Sequence, residues 1–241
     1  MQKMKTRHEI KQALVIALLI LQATGQNTAT MAMAGSEEGW IFKQDSARYG
    51  RLTCYATPHN FRMDAMDLRL YVKAPFTRVS MYNMESKLRY QVPVDNVASR
   101  LAIRSLNERD KKAGTREVMT KIGQREICGF KCTAYRSDHV KKSGLRTPKV
   151  TIYATHDLKL PVQMETACAK LTDSPPGLGF PIRLQLYESH TDEASGVKGY
   201  KLSQILNTDK ASRARVEDST FDEPKGFRAA RDETEVIMGN Y

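Results

Sequence analysis

An alternation of apolar and polar side chains with a period of two dominates the sequence between residues 51 and 92. Leu68, Leu70 and Val72 share one parity, and charged or aromatic residues take the other. Leu88–Val92 repeats the pattern. A period of two places alternate side chains on opposite faces of an extended chain, which is typical of a strand with one buried and one wet face. The pattern therefore predicts a sheet that is apolar on one side.

Similar segments continue to about residue 206. They predict the strands Arg51–Ala56, Asp67–Lys73, Arg78–Tyr82, Leu88–Val92, one near Val118, Ile127–Tyr135, Val150–Ala154, Val162–Cys168, Ile182–Leu186 and Gly199–Leu206. A basic loop, Ser137–Thr147, and a proline- and glycine-rich loop, 175–179, interrupt them. The period changes to a helical one over 95–110, where Asp95 can cap the first turn. A short helix is expected near Thr234. The predicted fold class is mainly β with helices (α+β): an incomplete antiparallel barrel, or curled sheet, with a helical lid.

The first 25 residues have the three parts of a secretory signal peptide. Four basic residues precede the apolar run Ala13–Leu21, and Ala23-Thr24-Gly25 then supplies small residues for cleavage. A second cleavage position follows Ala34. We expect an exported protein of the periplasm or cell envelope, made of a signal peptide (1–25), a polar spacer (26–39) and a single β domain (40–241).

The chain is basic, and its sequence carries no recognisable catalytic motif. Its net charge is +11, and residues 26–241 alone keep 34 Lys and Arg against 26 Asp and Glu. Export argues against a nucleic-acid partner, so a basic surface would face anionic membranes or acidic polymers, or would serve solubility alone. Nucleophile, P-loop and zinc-protease motifs are absent from the sequence. The sequence predicts no cofactor and no metal, and a non-enzymatic protein.

Basic residues share the polar parity of several predicted strands. This basic face comprises Arg51, Arg69, Lys73, Arg78, Lys87, Arg89, Lys131 and Arg183. Clustering of one sign on one face allows docking to anionic membrane surfaces, and a solvated face is the simpler interpretation.

Four cysteines, an even number in a chain predicted to be exported, predict at least one disulfide. They are Cys54, Cys128, Cys132 and Cys168, and all share the apolar parity of their predicted strands. If the segment is extended, Cys128 and Cys132 lie about 13 Å apart, beyond the ~7 Å reach of a disulfide. Pairing of either with Cys54 or Cys168 is then favoured, unless Gly129 bends the segment. The alternative is that the cysteines are small buried apolar residues.

The apolar parity also defines a candidate ligand cavity. Its candidate residues are Leu68, Leu70, Val72, Met81, Leu88, Leu101, Ile152, Met164, Leu184 and Leu186. One helix covers only part of a curled sheet, so either these side chains meet across the middle or a cavity of ligand size, on the order of 300 Å³ or more, remains.

Motifs spread over most of the mature chain resemble those of the periplasmic outer-membrane lipoprotein carrier superfamily and its exported relatives. They are Lys73-Ala74-Pro75, Arg78-Val79, Tyr82-Asn83 with Lys87, Ile127-Cys128-Gly129-Phe130 with Tyr135, Leu160-Pro161, and Phe221-Asp222-Glu223-Pro224-Lys225-Gly226-Phe227. The resemblance implies a half-barrel around an apolar cavity that, in the carriers, holds acyl chains. The cysteines depart from that pattern.

Three functions follow as hypotheses. The first is a non-enzymatic envelope protein that binds an apolar or amphipathic ligand, such as a lipid or a lipoprotein acyl chain, in the half-barrel. The second is an envelope interaction protein that docks anionic surfaces through the basic face. The third is an enzyme with an unrecognised site. An open apolar cavity favours the first over the second, and convergent polar groups with shifted pKa values in a cleft favour the third.

Overall fold

The computed structural model describes residues 35–47, 49–96, 116–172, 174–191 and 198–239. From Ser36 onward these residues belong to one compact unit, Ser36–Tyr241. The predicted signal peptide and all but the first two residues of the helix predicted over 95–110 lie outside the described residues. Asp95 itself belongs to a 3-10 turn, Val94–Asn96.

The described residues form one sheet of twelve strands. Their bounds are β1 Ser36–Ser46, β2 Gly50–Ala56, β3 Asn60–Ala65, β4 Leu68–Lys73, β5 Arg78–Asn83, β6 Leu88–Pro93, β7 Arg116–Ile127, β8 Phe130–Val140, β9 Arg146–Thr155, β10 Phe180–Thr191, β11 Lys198–Glu217 and β12 Arg228–Ala229. The described helices are α1 Val162–Leu171 and α2 Glu233–Met238.

The strand order across the sheet is β12-β6-β5-β4-β3-β2-β1-β11-β10-β9-β8-β7. Strands β1 to β6 pair antiparallel with their sequence neighbours, and so do β7 to β11 apart from the α1 insertion between β9 and β10. Strand β1 joins the two halves by pairing antiparallel with β11. The edge strands, β12 and β7, do not pair with each other, so the curled sheet stays open. This confirms the predicted mainly β, incomplete antiparallel barrel.

Tight turns permit the long hairpins. Cys128 and Gly129 connect β7 to β8 with φ angles of 52° and 78°. Positive φ at both central residues is the geometry that matches the right-handed twist of two paired strands. Gly129 therefore does bend this segment, and the two cysteines around it are not on one extended strand.

Aromatic packing joins the two halves of the sheet on its inner face, the face that carries Leu70 and Val79. Phe42 of β1 stacks on Phe180 of β10 with ring centroids 4.9 Å apart. The contact explains why residues more than 130 positions apart share one core, and Phe42 is fully buried in it.

The strand predicted over Val162–Cys168 is wrong, because this segment forms α1. Its buried residues include Met164, Ala167 and Cys168, which have the spacing of one helical face. Alternation over seven residues cannot distinguish the two structures, and Pro161 suits the position immediately before a helix. Met164 and Cys168 are buried as expected, but on the helix and not on the sheet.

Several strand boundaries also differ from the sequence-based expectation. Strand β1 begins at Ser36, so the end of the polar spacer predicted over 26–39 is strand. Strand β3 was not predicted, and β11 continues to Glu217. The basic loop predicted over Ser137–Thr147 shrinks to the turn between β8 and β9. Strand β3 does alternate, with Phe61, Met63 and Ala65 on its inner face. The start of β1 and the end of β11 carry polar residues on both faces, and side-chain alternation is weak there.

Candidate ligand-binding site

An apolar cavity lies between α1 and the inner face of the sheet. It has a volume of about 90 Å³. Its apolar walls come from β2, β3, α1, β10 and β11, and include Leu52, Phe61, Met63, Leu171, Phe180, Leu184, Ile205 and Leu206. The volume is smaller than the expected order of 300 Å³. A water-sized group needs roughly 10–15 Å³ of such space, so a short alkyl segment fits.

Two polar side chains of the cavity wall, Gln44 and Cys54, are hydrogen-bonded. The side-chain amide of Gln44 donates to Thr208 Oγ1 at 2.8 Å, and the Cys54 thiol donates to Gln44 Oε1 at 3.4 Å. Thr208 Oγ1 in turn donates to the carbonyl oxygen of Ile182 at 2.8 Å. Because these buried groups are paired within the wall, the cavity presents a surface suited to hydrocarbon.

Two thiols contribute to that surface. Cys54 of β2 and Cys168 of α1 both line the cavity. Burial, and to a lesser extent the charge of Asp64, raise the pKa of Cys54 to about 12. Burial likewise raises the pKa of Cys168 well above its usual value. Both side chains are therefore neutral thiols at physiological pH and behave as small apolar groups.

A larger groove adjoins this cavity at one end of the sheet. The groove has a volume of about 660 Å³ and lies between the β3–β4 turn, the β5–β6 turn and the end of α2. Tyr49 lines both the groove and the cavity. On β3, Met63 lines the cavity and Ala65 lines the groove, and two residues along a strand span about 7 Å.

The candidate cavity residues fall in different places. Leu184 lines the cavity, Ile152 lies beside it in a small recess that also includes Leu184, and Leu68 lines the groove. The remaining described candidates pack in the core or at its margin: Leu70, Val72, Met81, Leu88 and Met164 are buried, and Leu186 is half-buried. Leu101 lies outside the described residues.

Sequence reasoning missed most of the cavity wall. Gln44, Tyr49 and Phe61 belong to β1, β3 or the turn after β1, segments that were not predicted as strands. The parity of Leu52 and Cys54 did indicate the inner face of β2. Only the pairing of β1 with β11 brings these residues opposite Leu206.

The predicted disulfide is wrong. All four cysteines are free. Cys54 and Cys168 contribute to the cavity wall, Cys132 is buried in β8, and Cys128 is exposed in the β7–β8 turn. Cys128 also departs from the apolar parity assigned to it, because the turn replaces the extended segment. The simpler interpretation of small buried residues holds for the other three.

Only some residues of the predicted basic face form an exposed surface. Arg51, Lys73, Arg78, Lys87, Arg89 and Lys131 are exposed, and Arg69 and Arg183 are half-buried. Several of them contact neighbouring side chains. Arg69 Nε lies 3.6 Å from Asp64 Oδ1, and Arg183 Nε donates to Asn207 Oδ1 at 2.8 Å. Lys87 Nζ lies 5.2 Å from the centroid of the Phe227 ring.

The segment 218–227, here called the strap, packs on the outer face of β3 to β6. Arg62 donates to the Thr220 carbonyl oxygen at 2.7 Å, and the Tyr82 hydroxyl donates to Glu223 at 2.5 Å. Phe227 packs edge-on against Tyr82 with ring centroids 5.3 Å apart. The strap thus places a carboxylate and an aromatic ring on a surface that the sequence predicted to be basic and open.

The described residues include no group of three or more His, Cys, Asp or Glu side chains that could hold a metal ion. Among the same residues, no helix has the length and apolar composition needed to cross a membrane.

Comparisons with known proteins find only distant structural likeness. No family model matches the chain, and no curated protein matches it. One similar solved structure is an outer membrane lipoprotein-sorting protein domain from Vibrio parahaemolyticus, with 8% identity, 77% of this chain and 89% of that chain covered, and a TM-score of 0.28. Another is a DUF1329 family protein from Desulfovibrio piger, with 9% identity, 78% and 89% coverage, and a TM-score of 0.25. Likeness at this level carries no argument about function.

Proposed function

We propose that this chain is a non-enzymatic, exported envelope protein that binds an apolar or amphipathic ligand, such as a lipid or lipoprotein acyl chain, between α1 and the curled sheet. The observation that supports the proposal most directly is the apolar cavity, in whose wall Gln44 and Cys54 are hydrogen-bonded. The apolar run and cleavage signals of residues 1–25 support export.

The size of the cavity sets what can enter it. A volume of about 90 Å³ accepts the end of an alkyl chain, and the rest of the ligand would occupy the adjoining groove of about 660 Å³. Burying each methylene group contributes about 0.8 kcal/mol. We therefore expect the cavity to contribute to the binding free energy through the few methylene groups that it buries.

The cavity supports ligand binding better than docking through the basic face. The strap lies on part of that face, and Asp64 and Glu223 place carboxylates among its cations. A dense surface of one sign is what attraction to an anionic membrane requires. Docking therefore remains the second hypothesis.

Filling the cavity tests the proposal. NBD-dodecylamine, a dodecyl chain on a neutral fluorophore, reports binding by increased fluorescence. Leu171→Trp replaces an isobutyl side chain by a larger indole ring at the half-buried end of α1, where Leu171 lines the cavity. If it excludes about two methylene groups at about 0.8 kcal/mol each, binding weakens roughly tenfold.

Leu145→Trp is the matched control, because Leu145 is 57% exposed in the turn between β8 and β9. Its affinity should equal that of the wild type. A wild-type protein that takes up no NBD-dodecylamine, or equal affinity in the Leu171 variant, would contradict binding in this cavity.

A further inference from the structure

The groove next to the cavity has an acidic rim although the chain is basic overall. Its charged wall residues are Asp67, in the β3–β4 turn, and Glu85, in the β5–β6 turn. Both are exposed. Two positions along the chain from these carboxylates are Arg69, whose Nε lies 3.6 Å from Asp64 Oδ1, and Lys87, whose Nζ lies over the ring of Phe227. Among the described residues, the groove wall therefore has two carboxylates and no Lys or Arg, on a protein whose net charge is +11.

The groove wall also contains exposed apolar side chains. Met66 is 84% exposed and Met238 is 58% exposed, and both line the groove together with Leu68 and Ile237. Thioether side chains adapt to apolar shapes of different kinds. An exposed apolar surface bordered by carboxylates complements a molecule that has both a hydrocarbon part and a positive charge.

Hydrogen bonds hold the groove walls in place. The Met84 amide donates to the Asp67 carbonyl oxygen at 2.7 Å, which joins the two turns. Asn83, which is buried, accepts from the Glu85 and Ser86 amides and donates to the Val236 carbonyl oxygen of α2. The three segments that form the groove are therefore connected to one another, and the acidic rim has a defined position.

The groove adjoins the apolar cavity at Tyr49. Tyr49 borders both spaces, and Leu52 of the cavity pairs across the β2–β3 ladder with Ala65 of the groove. A ligand that lies in the groove can thus extend an alkyl chain past Tyr49 towards Leu184. This order places the polar head of an amphiphile beside Asp67 and Glu85.

We propose that the groove is the entrance to the cavity, that Tyr49 forms its neck, and that the acidic rim selects amphiphiles with a cationic head and a single alkyl tail. This inference rests on the proposed function, because it assigns the ligand class of the same cavity. It adds a preference for cationic ligands, whereas a basic surface that docks anionic lipids would prefer negative charge.

The test uses the mature protein and NBD-dodecylamine as a neutral reporter. Dodecyltrimethylammonium, dodecanol and dodecyl sulfate, each below its micelle concentration, compete with it. In the wild type the cation should displace the reporter best. The double variant Asp67→Asn, Glu85→Gln should weaken the cation about fivefold, as expected for two exposed charge interactions, and leave dodecanol unchanged. Raising the ionic strength from about 0.01 M to about 0.15 M shortens the screening length from about 30 to 8 Å and should reduce the preference.

Glu126→Gln with Asp222→Asn is the matched control, since it removes two exposed acidic residues outside the groove. It should keep the wild-type preference. If the reporter binds but the three competitors rank identically in the wild type and both double variants, the charge preference is overturned and the proposed function stands. If the reporter does not bind at all, both fail.

The neck is tested separately by the rate at which the reporter dissociates. Tyr49→Ala should increase the dissociation rate severalfold, because it removes the ring between cavity and groove. Tyr49→Phe keeps the ring and should leave the rate close to that of the wild type. Equal rates in the wild type and Tyr49→Ala would overturn the groove as the entrance.

Discussion

At the scale of single residues, burial makes the thiols of Cys54 and Cys168 part of the apolar core. Cys54 is 2% exposed and donates a weak hydrogen bond to Gln44, 3.4 Å away. Cys168 is 3% exposed. Burial penalises the thiolate more than the thiol, which raises the pKa of both groups. The same residues that suggested a disulfide thus act as neutral packing groups.

The pKa of Cys54 predicts how stability depends on alkaline pH. The folded pKa is about 12 against an ordinary value of 9.0, so the folded state holds the proton more tightly than the unfolded state. The stabilisation is complete below the ordinary pKa and is lost as pH rises through the interval between the two values. The wild type should lose up to about 1.4 kcal/mol of unfolding free energy per pH unit through this residue, and Cys54→Ala should not.

Urea unfolding of both proteins between about pH 9 and 11 measures this difference, with slopes from linked protonation. Cys128→Ala is the control. Because Cys128 is exposed, the unfolding free energy of this variant should depend on pH with nearly the same slope as that of the wild type. Identical slopes for the wild type and Cys54→Ala would show that the thiol is not buried as described.

At the scale of elements, α1 positions one wall of the cavity. Cys168 and Leu171 line the cavity, and Met164 is fully buried. Glu165 in the first turn lies 3.3 Å from His156, and Lys170 in the last turn pairs with Asp95. The helix is therefore fixed by its apolar face and by contacts at both ends.

Met164 should contribute most of that anchoring. Met164→Ala removes a fully buried side chain, and large-to-small substitutions of this kind cost about 2–5 kcal/mol of unfolding free energy. Val162→Ala, on the same helix but 62% exposed, should change it by less than about 0.5 kcal/mol. Chemical denaturation measures both, and similar values for the two variants would contradict the packing of α1 against the sheet.

At the scale of the whole domain, the open sheet carries the cavity on its inner face and the strap on its outer face. The strap places Glu223 within hydrogen-bonding distance of Tyr82 and brings Phe227 under Lys87. Both contacts reduce the continuous positive surface that the sequence predicted. The exposed residues of the basic face are distributed over β2, β4, β5, the β5–β6 turn, β6 and β8.

This distribution predicts only weak binding to anionic vesicles. Such binding should be measurable by vesicle sedimentation at about 0.01 M salt and nearly absent at about 0.15 M, because exposed charges are then screened over about 8 Å. Replacing Arg69, Lys87 and Arg89 by glutamine should abolish it without unfolding the domain. Tight binding that persists at the higher salt would favour the docking hypothesis over the cavity.

The sequence by itself determined which segments form the regular strands, and that each of these strands has one buried face and one face exposed to water. Alternation over β2, β4, β5 and β6 reflects a local property, the opposite directions of successive side chains in an extended chain. The same property places Leu70 and Leu88 in the core. Alternation is weaker at the ends of β1 and β11, where both faces carry polar residues.

Only the tertiary structure decided which of these residues surround the cavity. The β1–β11 pairing joins residues more than 150 positions apart, and no local pattern encodes which two strands meet. Val162–Leu171 became a helix because its apolar residues also fit one helical face, and packing against the sheet buries that face. The cavity and the covered part of the outer face both result from such long-range contacts, since they depend on which surfaces meet in space.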